Sequence, residues 1–213
     1  MLQENPPFVV VTSGAGPAVA TPDGAVVIAA DGGLERAAAL GLDVAVAIGD
    51  FDSAAPQSIE AAERGGARIV RHPAAKDATD LELALDEAVA MGAASILVIG
   101  SAGGRLDHLT AGLLLLAADA YRDVTVDAVL GETRVAVIRS SRTLGGETGD
   151  LLSLLPVHGP AMGVTTTGLE YPLRGEPLEP GSTRGVSNVF SAPIATVTLE
   201  RGTLLALQPG RIT

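Results

Sequence analysis

The stretch Val44-Ala45-Val46-Ala47-Ile48-Gly49-Asp50-Phe51-Asp52-Ser53 decides the fold. Its first five residues form a short apolar run of the kind that makes a buried strand. Glycine ends the run, and two carboxylates at i and i+2 follow in what must be a loop. In open α/β sheets, ligands collect at the loops beyond the C-terminal ends of the strands. At an effective dielectric of about 20, two charges 4 Å apart repel by roughly 4 kcal/mol, so this loop calls for a cation. Hard oxygen donors suit Mg²⁺, and Mg²⁺ commonly accompanies phosphate chemistry.

Working outward, short strand-like runs alternate with Ala- and Leu-rich helical segments as far as Tyr121. Predicted strands are Phe8–Thr12, Val26–Ala30, Val44–Ile48, Arg68–Val70 and Ser95–Ile99. Predicted helices are Leu34–Leu40, Pro56–Arg64, Asp80–Met91 and His108–Ala120. Such alternation implies a parallel sheet with crossover helices. Thr79 followed by Glu82 fits a capping box at the start of the third helix. Beyond residue 122 the helical pattern stops. Val124–Leu130, Thr133–Ile138, Leu151–Leu155, Val164–Thr167, Ala195–Leu199 and Thr203–Leu207 are short runs separated by Gly, Pro and Ser clusters. The expectation is an α/β protein: a Rossmann-like parallel-sheet domain over residues 1–122, then a small all-β sandwich or barrel over residues 123–213.

Composition narrows the function. Of 213 residues, 47% are hydrophobic, ample for a core, while aromatics are 2%. A formal charge of -11 argues against a nucleic-acid or anionic-membrane surface. The absence of cysteine removes disulfides and thiolate chemistry. Met1–Asn5 has no basic region or signal-like apolar stretch, and Leu109–Ala118 is too short to span a bilayer. A cytoplasmic protein is expected.

Four polar motifs fall after predicted strands and so onto one rim of the sheet: Asp31-Gly32-Gly33, Asp50-Phe51-Asp52, Lys76-Asp77-Ala78-Thr79-Asp80 and Gly103-Gly104-Arg105-Leu106-Asp107-His108. Singly, each has a plain structural reading. Asp31 could form an Asx turn, Asp80 could complement a helix dipole, and Asp107 could cap a helix. Together, Asp31, Asp50, Asp52, Asp80 and Asp107 with Lys76 and Arg105 are equipment for metal-assisted phosphoryl or pyrophosphoryl transfer. Gly14-Ala15-Gly16 is half of a dinucleotide fingerprint without its helix. His72 and His158 read as ordinary loop residues.

Read in order, these motifs resemble the thiamine pyrophosphokinase family. The likeness continues through Ser153-Leu154-Leu155-Pro156, Thr167-Gly168-Leu169-Glu170-Tyr171-Pro172-Leu173 and Gly185-Val186-Ser187-Asn188. It implies transfer of the β,γ-pyrophosphate of ATP to the hydroxyl of thiamine, giving thiamine diphosphate and AMP. It also implies a homodimer with active sites between subunits. Asp50, Asp52 and Asp80 would hold Mg²⁺ and the ATP phosphates, and Asp107 would face the transferring group. Asp31, Gly32, Gly33, Lys76, Asp77, Thr79, Gly104, Arg105 and His108 would line the ATP site. Tyr171, Ser187 and Asn188 would meet thiamine, with Tyr171 where some members carry Trp. Two alternatives stay open from the residues: a pyrophosphokinase for another alcohol such as a pterin, and a non-catalytic nucleotide- or thiamine-binding protein. An aspartyl-phosphate phosphatase fits poorly, because Ala54 stands where its Thr is needed.

Overall fold

A computed structural model describes residues 6–210 of the chain. The N-terminal stretch Met1–Asn5 lies outside the described residues. The chain divides into two compact units, one of residues 1–112 with 123–132 and one of residues 113–122 with 133–213.

The first unit is built on six parallel strands, β1 (Phe8–Val11), β2 (Val26–Ala30), β3 (Val44–Gly49), β4 (Arg68–Arg71), β5 (Ser95–Gly100) and β6 (Thr125–Leu130), in the order β4-β3-β2-β1-β5-β6. Helices α1 (Gly33–Ala39) and α2 (Pro56–Arg64) connect β2 to β3 and β3 to β4. Helix α3 (Asp80–Ala90) carries the chain back from β4 to β5, and α4 (Leu106–Leu116) begins after β5. Right-handed crossovers therefore put α1 and α2 on one face and α3 on the other. Packing agrees. Ala29 and Ala47 of the sheet, Leu34 of α1 and Ile59 of α2 share one buried cluster with Phe51 and Ala54.

Gly33 shows how closely α1 approaches the sheet. A Cβ there would lie 2.0 Å from the Val11 carbonyl oxygen. The capping box is present in part, since Glu82 N–H donates to Thr79 Oγ1 at 3.2 Å.

The boundary expected at residue 122 moves. Val124–Leu130, assigned from sequence to the β-rich half, becomes β6 and pairs in parallel with β5 across Ser95↔Thr125 to Gly100↔Leu130. A lone β-branched run looks the same in a parallel or an antiparallel setting, so sequence alone could not place it. The predicted helix His108–Ala120 starts earlier and ends at Leu116, followed by a single 3₁₀ turn, Asp119–Tyr121. Among the described residues no helix is long and apolar enough to cross a membrane.

The second unit holds β7 (Thr133–Ile138), β8 (Ser141–Gly145), β9 (Leu151–Thr167), β10 (Arg174–Leu178), β11 (Asn188–Val189), β12 (Ile194–Thr198) and β13 (Arg201–Gln208). All pairings among them are antiparallel, in the order β7-β13-β9-β12-β8, with β10 and β11 also on β9. The predicted strands Leu151–Leu155 and Val164–Thr167 are the two halves of β9. His158 (φ 60) and Gly159 (φ 138) turn the strand between them. The first half pairs β11 and most of β13, and the second pairs β10, β12 and the start of β13 at Arg201↔Met162, around one core that includes Leu152, Leu154, Val164, Phe190, Val197 and Leu204. His158, read as a loop residue, thus sits at this bend, its Nε2 2.9 Å from the Leu114 carbonyl.

Gly33→Ala should lower unfolding stability by roughly 2 kcal/mol or more through overpacking against β1. Gly32→Ala, whose new carbon would meet Ser13 Cβ at 3.2 Å, should cost less. Urea unfolding followed by circular dichroism measures both, and equal losses would contradict the close packing at Gly33.

Candidate active site

Two loops and one helix start bring the acids of the site together. Asp31 follows β2, Asp50 follows β3, and Asp80 opens α3. One carboxylate oxygen from each lies within 4.8 Å of the other two, and all three residues are half-buried. The backbone is bent to bring this about. Asp31 has φ 46 and Phe51 φ 60, both left-handed values that non-glycine residues rarely take. Gly49 has φ 152, a backbone conformation that other residues rarely adopt, and a Cβ there would sit 3.2 Å from the Asp31 backbone, a tight contact.

Lys76 answers the carboxylates. Its Nζ stands 2.8 Å from Asp80 Oδ1 and 3.5 Å from Asp50 Oδ2, with only 14% of the side chain exposed. Burial works against the ammonium, but contact with Asp80 and the charges of Asp80 and Asp50 outweigh it, and its pKa ends above the ordinary lysine value. One cation for three anions leaves the group short of positive charge. Asp31 Oδ1 is buried and has no hydrogen-bond partner, an arrangement that costs free energy unless something else satisfies it. A hard divalent cation fits this donor set.

Asp52 stands outside the group. It is exposed and its Oδ1 accepts from the Ser53 hydroxyl at 2.9 Å, while its N–H lies 3.5 Å from Asp50 Oδ1. The i, i+2 spacing read from sequence assumes an extended chain in which both side chains share a face. The left-handed turn at Phe51 breaks that assumption. It sends the Phe51 ring, 7% exposed, into the α1–α2 cluster instead.

Arg105 and Asp107 form a bidentate pair, Nη2 to Oδ2 at 2.6 Å and Nε to Oδ1 at 3.2 Å, on an exposed part of the rim. The Arg105 hydrogen bond holds the Asp107 carboxyl down at about 2. An ionised acid tied to arginine is a weak general base. Asp107 lies inside the first turn of α4 rather than capping it. His108, Gly104 and Asp77 are exposed, and Gly104 has φ 89. Thr79 spends its hydroxyl on the α3 cap. Gly32 and Gly33 form the tight entry to α1, beside Ser13 and Val11.

In the second unit, Asn188 is buried and its amide is fully used. Oδ1 accepts from Tyr171 N–H (3.1 Å) and Val189 N–H (2.9 Å), and Nδ2 donates to the Tyr171 carbonyl at 2.7 Å. It therefore fixes the backbone of Tyr171, whose side chain stays 55% exposed. Ser187 has φ 59 and its N–H donates to Ser153 Oγ at 3.1 Å. A concavity of about 750 Å³ lined by Thr165, Thr167, Leu169, Pro172 and Arg174 flanks this element. A second of about 350 Å³ lies between α1 and α2. Neither takes in the three carboxylates, which face an open rim.

Sequence reasoning missed three contributors. Glu35 of α1 accepts from the Ala55 N–H at 2.8 Å and ties the two helices together. Arg36 donates to the Gly16 and Pro17 carbonyls, each at 2.6 Å, and straps down the loop after β1. Arg71 lies over the Phe51 ring, 5.0 Å from its centroid. The position of Arg71 as the last residue of a parallel strand was the available signal.

A family model of the thiamin pyrophosphokinase catalytic domain matches residues 21–126, and one of the thiamin pyrophosphokinase vitamin B1 binding domain matches residues 136–204. The chain belongs to the thiamin pyrophosphokinase family. A curated thiamine pyrophosphokinase of Bacillus subtilis (strain 168) is 27% identical over 162 residues, 75% of this chain and 76% of that protein. Thiamine pyrophosphokinase 1 of Oryza sativa subsp. japonica is 28% identical over 163 residues, 70% of this chain and 60% of that protein. Among solved structures, thiamine pyrophosphokinase from Bacillus subtilis superposes with a TM-score of 0.83 at 24% identity, covering 97% of this chain and all of that one (100%). The enzyme from Geobacillus thermodenitrificans gives 0.80 at 26%, covering 97% and 99%. These members share the α/β architecture of the present chain.

The ion pair predicts a pH response. A carboxyl held low in the folded state contributes stability above its unfolded value, near 4, and loses it as pH falls through the folded value. Carbon-13 NMR titration should therefore find Asp107 ionised down to about pH 3, with its midpoint near 2. Arg105→Gln should return it to the usual carboxylate range; an ordinary midpoint in the unaltered chain would contradict the pairing.

Proposed function

We propose that this chain is a thiamine pyrophosphokinase, moving the β,γ-pyrophosphate of ATP to the hydroxyl of thiamine to give thiamine diphosphate and AMP. The observation that carries the reading is the group of Asp31, Asp50 and Asp80 with Lys76, in a chain matched by both thiamin pyrophosphokinase family models. Asp31, Asp50 and Asp80 would hold Mg²⁺. When bound, the ion would screen the triphosphate and polarise the bond to the leaving AMP.

The remaining work falls to side chains of this chain. Lys76 keeps Asp50 and Asp80 close enough together to act as one site. Asp52 faces outward beside them, toward an arriving polyphosphate. The Arg105–Asp107 pair gives the rim a cation already oriented by its partner, and Asp107 orients the attacking hydroxyl by accepting its hydrogen bond rather than by removing its proton. Gly32, Gly33 and Gly104 let the backbone approach phosphate closely, with Asp77, Thr79 and His108 around them. Positioning and charge compensation are what an in-line displacement at phosphorus needs most.

The N-terminal unit serves as the Rossmann-like catalytic domain and the β-rich unit as the sandwich that takes thiamine. Thiamine is a cation with flat rings, and an exposed Tyr171 offers it a face. Asn188 acts on thiamine through Tyr171, whose backbone it clasps, while Ser187 borders the same element. The family likeness supports a homodimer with active sites between subunits and a cytoplasmic setting.

The test is the product balance. Incubated with thiamine, ATP and Mg²⁺, the protein should release AMP in step with thiamine diphosphate, and Asp50→Asn should lower turnover by at least a hundredfold. Release of ADP, or a pterin alcohol preferred over thiamine in a panel of acceptors, would overturn the assignment.

A further inference from the structure

Four cationic side chains stand at or beside the C-terminal rim of the parallel sheet, and three are already engaged. Lys76 is spent on Asp50 and Asp80, and Arg105 on Asp107. Arg36 gives its terminal nitrogens to the Gly16 and Pro17 carbonyls. Arg71, the last residue of β4, differs. It is exposed, and among the described residues no carboxylate pairs with it. Arg68, on the same strand, is by contrast bound to Glu87.

Arg71 is nonetheless held in place. Its guanidinium carbon lies 5.0 Å from the centroid of the Phe51 ring, within cation–π range. The register Gly49↔Arg71 sets the base of this side chain beside the residue that precedes Asp50. Phe51 itself is fixed by burial among Ala29, Leu34, Ala47, Ala54 and Ile59 and by its left-handed backbone. A planar set of donors is thus held against Phe51, the residue between Asp50 and Asp52 in the chain. That is a geometry suited to phosphate oxygens.

We propose that Arg71 is a polyphosphate-binding residue of the nucleotide site. The identity of the polyphosphate as ATP rests on the functional reading above; the demand for a free cation does not. A triphosphate bound through one divalent ion still carries net negative charge. It must also settle among Asp31, Asp50, Asp52 and Asp80, which repel it. Lys76 is committed to two acids, and the charge of Arg105 is shared with Asp107. Arg71 gives up no carboxylate partner to bind phosphate.

Calorimetric titration of the full chain with magnesium tripolyphosphate and with MgATP, without thiamine, tests this. Arg71→Gln should weaken both about tenfold or more, corresponding to about 1.4 kcal/mol. Arg71→Lys should recover part of the loss, and the melting midpoint without ligand should fall no further than loss of the exposed contact with Phe51 allows. Affinities within twofold of the unaltered chain would overturn the proposal, and so would a lowered ligand-free midpoint as the only effect. A chain that binds neither ligand would overturn it too. If tripolyphosphate and MgATP bind as expected but AMP is never formed, Arg71 keeps its role and the pyrophosphokinase reading fails.

Discussion

Mutual repulsion among Asp31, Asp50 and Asp80 is the constraint on which the rest of this molecule turns. Three carboxylates with oxygens inside 4.8 Å do not stay together without compensation, and Lys76 is the compensation the chain carries itself. Each acid arrives from a separate crossover unit, so the parallel order β4-β3-β2-β1-β5-β6 is what gathers them. Left-handed backbone at Asp31 and Phe51 adds local strain at the same place. Strain and charge concentrated on one rim, over a sheet packed with Ala, Val and Ile, are the pattern of a site maintained for chemistry.

The electrostatics also sort the cations by task. The Lys76 ammonium, 14% exposed, serves the site's own acids, while the Arg105–Asp107 pair lies open to solvent at 70% and 64% exposure. Screening by water makes the second pair a weak contributor to stability. Its value lies in orientation, since a bidentate pair fixes both partners. Arg71 on the Phe51 face completes a gradation from buried and committed to exposed and available.

Much of this was legible in the sequence, and the failures have physical causes. The alternation of β-branched runs with helical segments gave the parallel unit, because buried strands and crossover helices differ in period and composition. The motifs pointed to one rim because a parallel sheet leaves no other place for the loops after its strands. Asp31 was legible as one of the rim acids but not as a metal ligand, since an Asp-Gly-Gly turn looks alike with or without one. Asp52 is expected as a ligand from its spacing to Asp50, whereas the φ of Phe51, which sets it apart from Asp31, Asp50 and Asp80, leaves no mark in composition. β9 was read as two strands because its bend at His158 and Gly159 interrupts the apolar pattern. Asn188 entered only through the family resemblance; that its amide clasps Tyr171 depends on a contact across 17 residues.

Anomalous scattering from crystals soaked in Mn²⁺ tests the central claim most directly, because it locates a divalent ion without assuming any activity. The account predicts a peak bounded by Asp31, Asp50 and Asp80, lost in Asp31→Asn crystals grown the same way. A peak on Asp52 or Asp107 with none among the three, or no peak at millimolar Mn²⁺, would contradict it.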